Sequence, residues 1–237
     1  MGLKLDRQKK RNFIVSLFYL LSRLPFFSKK TKLQLFLNLE WISDRLSHEF
    51  SYTLYPPDQH PIRKANEPFI LNFIQPTYTV IDLGCNRGDI AFSISKKAKR
   101  VIGIDFDQTH IHAAMKNYTA PNLEFYCMDA AKYLAERSEK FDVLILSHIL
   151  EHLDNPAQFV ESFKNKFSYI YIEVPDFEKN YLNLYRQNLG ISLIYSDNDH
   201  VFEFDRDEIA QLIAGANLEI ISSEFRYGVQ KYWCKVR

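Results

Sequence analysis

Short apolar runs alternate with one-sided amphipathic stretches from about residue 78 to the end of the chain, the pattern of buried strands followed by helices. Tyr78 to Ile81 leads into Asp82, breaks at Gly84 and Gly88, and is followed at once by the helical start Asp89-Ile-Ala-Phe-Ser-Ile. Arg100-Val-Ile-Gly-Ile-Asp105 is a second run, and Leu123-Glu-Phe-Tyr-Cys-Met-Asp129-Ala130 is a third that also ends on an acid. Phe141-Asp-Val-Leu-Ile-Leu-Ser147-His148 and Tyr169-Ile-Tyr-Ile-Glu-Val-Pro175 read as the fourth and fifth. Upstream, Leu33, Leu35, Phe36, Leu39, Ile42 and Leu46 form a one-sided stripe that predicts a helix from Leu33 to about Phe50, broken by Tyr55-Pro-Pro-Asp. Residues 62–75 predict the helix that leads into the first strand. Downstream, Pro156 to Phe167 reads as a helix opened by Asp154 or Asn155, and Asp205 caps a helix over Arg206–Ala214 that Gly215 ends. Leu218–Phe225 and Lys231–Val236 predict a closing antiparallel hairpin around Gly228.

A strand, a glycine turn and a helix start mark the place where parallel α/β sheets bind nucleotide-like ligands. Gly84 and Gly88 let backbone approach a ligand closely, and Asn86 tolerates the left-handed conformation such a turn uses. Asp82 puts a carboxylate at the mouth of the first strand. Asp105, 23 residues further on, ends the second strand where a carboxylate can accept both hydrogen bonds of a ribose diol. Nicotinamide enzymes use the same device, but the GxGxxG fingerprint is missing, because Cys85, Asn86 and Arg87 separate the two glycines.

The segments VIDLGCNRG, VIGID, MDA, FDVLILSHILEHLDNP, DHVFEF and IAQLIAGANLEI together resemble the class I S-adenosylmethionine-dependent methyltransferases, over roughly residues 60 to 237. The resemblance implies a Rossmann-like, seven-stranded, mostly parallel sheet with helices on both faces and an antiparallel last strand. It implies S-adenosyl-L-methionine as cofactor, with S-adenosyl-L-homocysteine as product. By position, Asp82, Gly84, Cys85 and Gly88 would surround the methionine part, Asp105 the ribose, Phe106, Asp129 and Ala130 the adenine, and Ser147 the inner edge of the cofactor site. Asn86 stands where the family has glycine.

The 237 residues accommodate an N-terminal helical extension and cap (1–59) and a methyltransferase domain (60–237) with an acceptor-side insertion at 177–205. Cys85, Cys127 and Cys234 are odd in number, lack CxxC spacing and fall in strands or strand-end turns, where they act as small apolar residues; this points to a reducing, cytoplasmic compartment. Net charge is only +1, but residues 1–33 hold nine Lys/Arg against one acid, and the rest of the chain holds 21 against 28. Within this basic arm, Phe13 to Leu21 is too short to span a bilayer and predicts an interfacial helix on an anionic membrane, peripheral at the inner face, or a helix packed on the domain. Nucleic acid is disfavoured as a partner, since no basic stripe follows downstream.

Transfer of a methyl group to a hydroxyl calls for alignment and for a group that takes the proton, a task histidine suits near neutral pH. His148 ends the fourth strand, His152 lies one turn further, and His200 sits in the loop after the fifth, so these three are the catalytic candidates. His60-Pro-Ile-Arg63 is placed to reach the cofactor's carboxylate. His148-Ile-Leu-Glu151-His152 also spells the HxxEH of inverted zinc peptidases, but that motif needs both histidines in one helix, whereas His148 follows directly on a strand. No metal ligand is assigned from the sequence. Similarity of Leu39-Glu-Trp-Ile-Ser-Asp-Arg-Leu and His60-Pro-Ile-Arg to bacterial surface-polysaccharide methyltransferases implies O-methylation of a sugar or lipid-linked glycan. The alternatives are a quinone-like or other small acceptor, or a catalytically silent protein that binds cofactor or membrane.

Overall fold

The computed structural model describes residues 13–23, 25–56, 59–191 and 200–237. Helices α1 (Phe13–Ser22), α2 (Lys29–Leu54) and α3 (Pro61–Phe73) precede the sheet. Then come β1 (Thr79–Leu83), α4 (Asp89–Ser95), β2 (Arg100–Asp105), α5 (Gln108–Asn117), β3 (Leu123–Cys127), α6 (Ala130–Ala135) and β4 (Phe141–Ser147). The chain closes with α7 (Pro156–Phe163), β5 (Phe167–Pro175), α8 (Leu182–Leu189), α9 (Arg206–Gly215), β6 (Leu218–Arg226) and β7 (Val229–Val236). One seven-stranded sheet runs in the order β3-β2-β1-β4-β5-β7-β6. Pairing is parallel from β3 to β5 and antiparallel for β5–β7 and β6–β7. The expected Rossmann-like α/β architecture is therefore present.

Strands β1, β2 and β4 are buried along nearly their whole length, so alternate side chains feed two apolar layers, one on each face. Ile81, Leu83, Ile102, Leu144 and Leu146 join α6, α7 and α9 on one side; Val80, Val101, Val143 and Ile145 join α3, α4 and α5 on the other. Side-chain caps set where helices start: Asp107 for α5, Asp129 for α6, Asn155 for α7, and for α9 a full capping box between Asp205 and Glu208.

Two expectations need correction. The helix read over Pro156–Phe167 stops at Phe163; a 3-10 turn over Lys164–Lys166 follows, and buried Phe167 already pairs with Phe141 as the start of β5. Cys127 is exposed rather than a small core residue, its thiol 3.4 Å from the Phe106 carbonyl. Residues 177–205 include helix α8, and Phe204 packs in the core. Tyr195 and the residues before Phe13 lie outside the described residues.

The insertion is fastened to α2. Arg186, 2% exposed, donates to the Leu37 carbonyl and to Glu40 (both 2.6 Å), and its guanidinium lies over Trp41. Asn180 donates to Glu40 at 2.7 Å, and Lys179 pairs with Asp44 at 2.9 Å. Helix α2 thereby becomes a wall over the carboxyl ends of β4 and β5.

Candidate active site

Strand β1 pairs with β2 on one side and β4 on the other, so the connections leave it in opposite directions and a crevice opens at its carboxyl end. The turn there holds Gly84 at φ +66° and Gly88 at φ +82°, with Asn86 between them at φ +48°. The left-handed backbone at Gly84 favours glycine, and a Cβ there would stand 2.2 Å from Ile149 Cδ1 and push that side-chain end aside. The Asn86 amide donates to Asp105 Oδ2 at 2.8 Å, and the Asp107 amide donates to Oδ1 at 2.9 Å. Two backbone amides thus orient the carboxylate at the end of β2 before any ligand arrives.

Asp82 is 2% exposed and its Oδ2 has no hydrogen-bond partner. Burial, reinforced by the charges of Asp89 and Asp105, pushes its carboxyl up to about 8. A buried, unpartnered carboxyl oxygen beside a glycine turn fits the ammonium of a methionine moiety, which would satisfy the oxygen and draw the carboxyl back toward its ionised form. Arg63 of α3 pairs with Asp89 at the start of α4, next to that oxygen's crevice.

The remaining expected cofactor residues cluster at the β2 and β3 ends. Phe106 is 83% exposed, Asp129 is exposed and caps α6 through the Lys132 amide at 2.8 Å, and Ala130 packs against the core. A cavity of about 1190 Å³ takes in Asp82, Gly84, Cys85, Ser147, His148, His152 and His200; Gly88, Asp105, Phe106, Asp129 and Ala130 are not part of its lining. Its aromatic wall is Trp41 and Tyr52 of α2 with Tyr171 and Tyr227. From the insertion it receives Lys179, Asn180, His200 and Glu203, while Tyr181 and Tyr185 are exposed outside it.

The three histidines meet at this cavity, in unlike surroundings. His148 has φ +55°, and its amide continues the ladder to the Glu173 carbonyl at 2.8 Å. Its ring lies between two buried carboxylates, with Nδ1 3.0 Å from Glu151 Oε1 and Nε2 3.4 Å from Glu173 Oε1. Burial disfavours the charged ring, but the hydrogen bonds and charges of Glu151 and Glu173 outweigh it and push the pKa up to about 10. The side chain remains 45% exposed, so solvent weakens both the burial penalty and the attraction to the two carboxylates. Both ring nitrogens face carboxylate oxygens, an arrangement that favours the imidazolium form of His148. Burial works to raise the Glu173 carboxyl, yet His148, Tyr171 and Lys231 hold it below the usual range. Tyr171 hydrogen-bonds Glu173, and fully buried Lys231 reaches Asn66 at 3.0 Å and pairs with Glu224.

His152 and His200 meet edge to face, with ring centroids 4.8 Å apart. The amides of Val201 and Phe202 donate to the Glu151 carbonyl (2.8 and 3.2 Å), which pins this segment to the turn after β4. His200 Nδ1 is held by Glu203 at 3.1 Å. Glu173, Tyr171 and Glu203 were missed from sequence. The one available signal was Glu173, an acid inside the apolar run of β5.

Strand order, switch point and acid-ended edges define a class I S-adenosylmethionine-dependent methyltransferase, with that nucleoside as its cofactor. A family model described as a methyltransferase domain matches residues 38–223, and the chain belongs to that family. Among curated proteins it is similar to the ubiquinone biosynthesis O-methyltransferases of Pseudoalteromonas translucida (30% identity, covering 44% of this chain and 45% of the relative) and Arabidopsis thaliana (32%, covering 35% and 26%). The chain thus spans about half or less of the length of these relatives. Its fold is similar to that of the magnesium protoporphyrin IX methyltransferase of Synechocystis, solved with bound S-adenosylhomocysteine (TM-score 0.54, 12% identity, 95% of this chain and 96% of that one). It is also similar to a methyltransferase from Archaeoglobus fulgidus (TM-score 0.59, 16% identity, 80% and 99%).

Proposed function

We propose that this protein methylates a hydroxyl oxygen of a small, ring-bearing acceptor, with a quinone precursor as the favoured class. The observation that carries the reading is the shared cavity: about 1190 Å³ joins the Asp82–Gly84 turn to the three-histidine cluster. Typical ligand pockets hold ~300–1,000 Å³, so this space accommodates the donor's methionine end and an acceptor together. When bound, the cofactor supplies an electrophilic methyl group on a cationic sulfur. The new O–CH₃ bond forms as the methyl–sulfur bond breaks, and the acceptor's O–H proton leaves to water. Asp82, Gly84 and Asp105 position the donor, and Phe106, Asp129 and Ala130 frame its adenine. Alignment of the two reactants supplies most of the rate, up to ~7–11 kcal/mol. On the acceptor side His148 is held between two carboxylates and favours the cationic form, and His152 and His200 would be the groups nearest the acceptor hydroxyl.

The named activity of the curated relatives supports a quinone-like acceptor. A sugar or lipid-linked glycan is the second reading, favoured by the polar groups that the insertion brings to the cavity and by aromatic side chains suited to sugar faces. Either acceptor suits a membrane-proximal enzyme. Phe13, Phe18, Leu20, Phe26 and Phe27 expose apolar surface at α1 and the following turn, within the stretch of sequence that is rich in Lys and Arg. Among the described residues no helix is long and apolar enough to cross a membrane.

Incubating the purified protein with S-adenosylmethionine and matched panels of catechol-type phenols and sugars, and measuring S-adenosylhomocysteine release, tests the reading. Phenol-dependent release is expected. Sugar-dependent release selects the glycan reading, and cofactor binding without release from any hydroxyl acceptor selects the silent one. Removal of residues 1–30 should abolish sedimentation with anionic liposomes; unchanged partitioning would discard the membrane proposal.

A further inference from the structure

Glu151 is fully buried, and its two oxygens have different fates. Oε1 is 3.0 Å from His148, whereas Oε2 has no hydrogen-bond partner. An unsatisfied buried carboxylate oxygen is costly, and such an atom calls for a partner, which a water, a ligand or an ion supplies. One ligating atom each from Glu151, His152 and His200 lie within 4.8 Å of one another, and both histidines line the cavity. From these observations we propose a site for one divalent first-row metal ion, held by Glu151 Oε2, His152 and His200. The inference rests on the acceptor-side reading above and deepens it.

The donor set fits such an ion. Two imidazoles and one carboxylate suit zinc, cobalt or manganese, and three protein ligands leave positions open for a substrate. The outer contacts are those of a metal site as well. Glu203 holds His200 Nδ1, so Nε2 would be the nitrogen that ligates, and His148 holds the Glu151 carboxylate through Oε1. The backbone clasp of Val201 and Phe202 on the Glu151 carbonyl brings the third ligand in from a remote part of the chain. An ion here would bind the acceptor through two adjacent oxygens and lower the pKa of the one that receives the methyl group. The substrate class is therefore a catechol or vicinal diol rather than an isolated alcohol.

The test uses the full chain, freed of metal by chelator, titrated with Co²⁺ alone and followed by visible absorption and calorimetry. One saturable equivalent is expected, with affinity reduced at least ~10-fold in Glu151→Gln and in His200→Asn, as for loss of a metal ligand or its support. S-adenosylhomocysteine affinity should stay within about three-fold in both variants, which confirms folding and keeps the two proposals separable. If Glu151→Gln fails to fold, His200→Asn decides alone. No saturable Co²⁺ binding by the parent chain, or binding unchanged in the folded variants, overturns the metal site. If S-adenosylhomocysteine still binds in that case, the methyltransferase reading stands without it.

Discussion

The donor end and the acceptor end of the cavity are built by different means. At the donor end backbone dominates: a turn with Gly84 and Gly88 in the left-handed region, and the amides of Asn86 and Asp107, which hold the Asp105 carboxylate beside the cavity. At the acceptor end they are side chains: His148 between Glu151 and Glu173, and His152 against His200. Backbone geometry is set within a few residues, so the donor end is local and rigid. The acceptor end is assembled from the β4 edge, β5, the turn after β4 and residues 200–203, so it varies with any one of them. Under the proposed function the first end would hold the donor and the second would select what is methylated.

The contrast breaks most easily at Asp105. Asp105→Ala removes a carboxylate that accepts two backbone hydrogen bonds, each charge-assisted and worth ~1.5–3 kcal/mol. Calorimetry should show at least ~100-fold weaker S-adenosylhomocysteine binding; a loss under ten-fold would mean that the β2 end does not hold the donor. Glu173→Gln acts at the opposite end and leaves His148 with one carboxylate. Turnover should fall ~10–100-fold while S-adenosylhomocysteine affinity is nearly unchanged. Equal losses in both quantities would erase the distinction between the two ends.

Asp82 connects stability to pH. Its folded pKa, near 8, lies above the ordinary carboxylate value, so its contribution is complete below about pH 4 and is lost as pH rises toward 8. The Tm of the ligand-free protein should fall across that window more steeply than that of Asp82→Asn, and bound S-adenosylhomocysteine should flatten the slope. Identical slopes for parent and variant would show that the Asp82 carboxyl is not shifted. The smallest effect is expected at a purely local feature. Asp205→Ala removes the capping box of α9 and should cost ~1 kcal/mol, a Tm decrease of ~2–4 °C, without altering kcat. A change in turnover there would tie α9 to the acceptor end.

Much of the donor end was legible in the chain because its signals are contiguous. Asp82, Gly84, Asn86 and Gly88 fall within one turn, and Asp105 and Asp129 end adjacent apolar runs, so period and punctuation locate them. The histidines at 148, 152 and 200 were also found, since each follows a strand end. Their chemistry was not. Whether His148 accepts a proton depends on Glu173, which is 25 residues away and faces it only because β5 pairs with β4 in that register.

The sequence by itself determined the alternation of strands and helices, the helix cap at Asp205, and the order of acids along the donor edge, because each depends on residues a few positions apart. Tertiary structure alone decided that β7 inserts between β5 and β6, and that Arg186 draws α8 against α2. It also decided that Glu151 is buried with one oxygen unsatisfied beside two histidines. Those outcomes depend on long-range burial and on which charged groups lose water together, and neither quantity is carried by any local stretch of the chain.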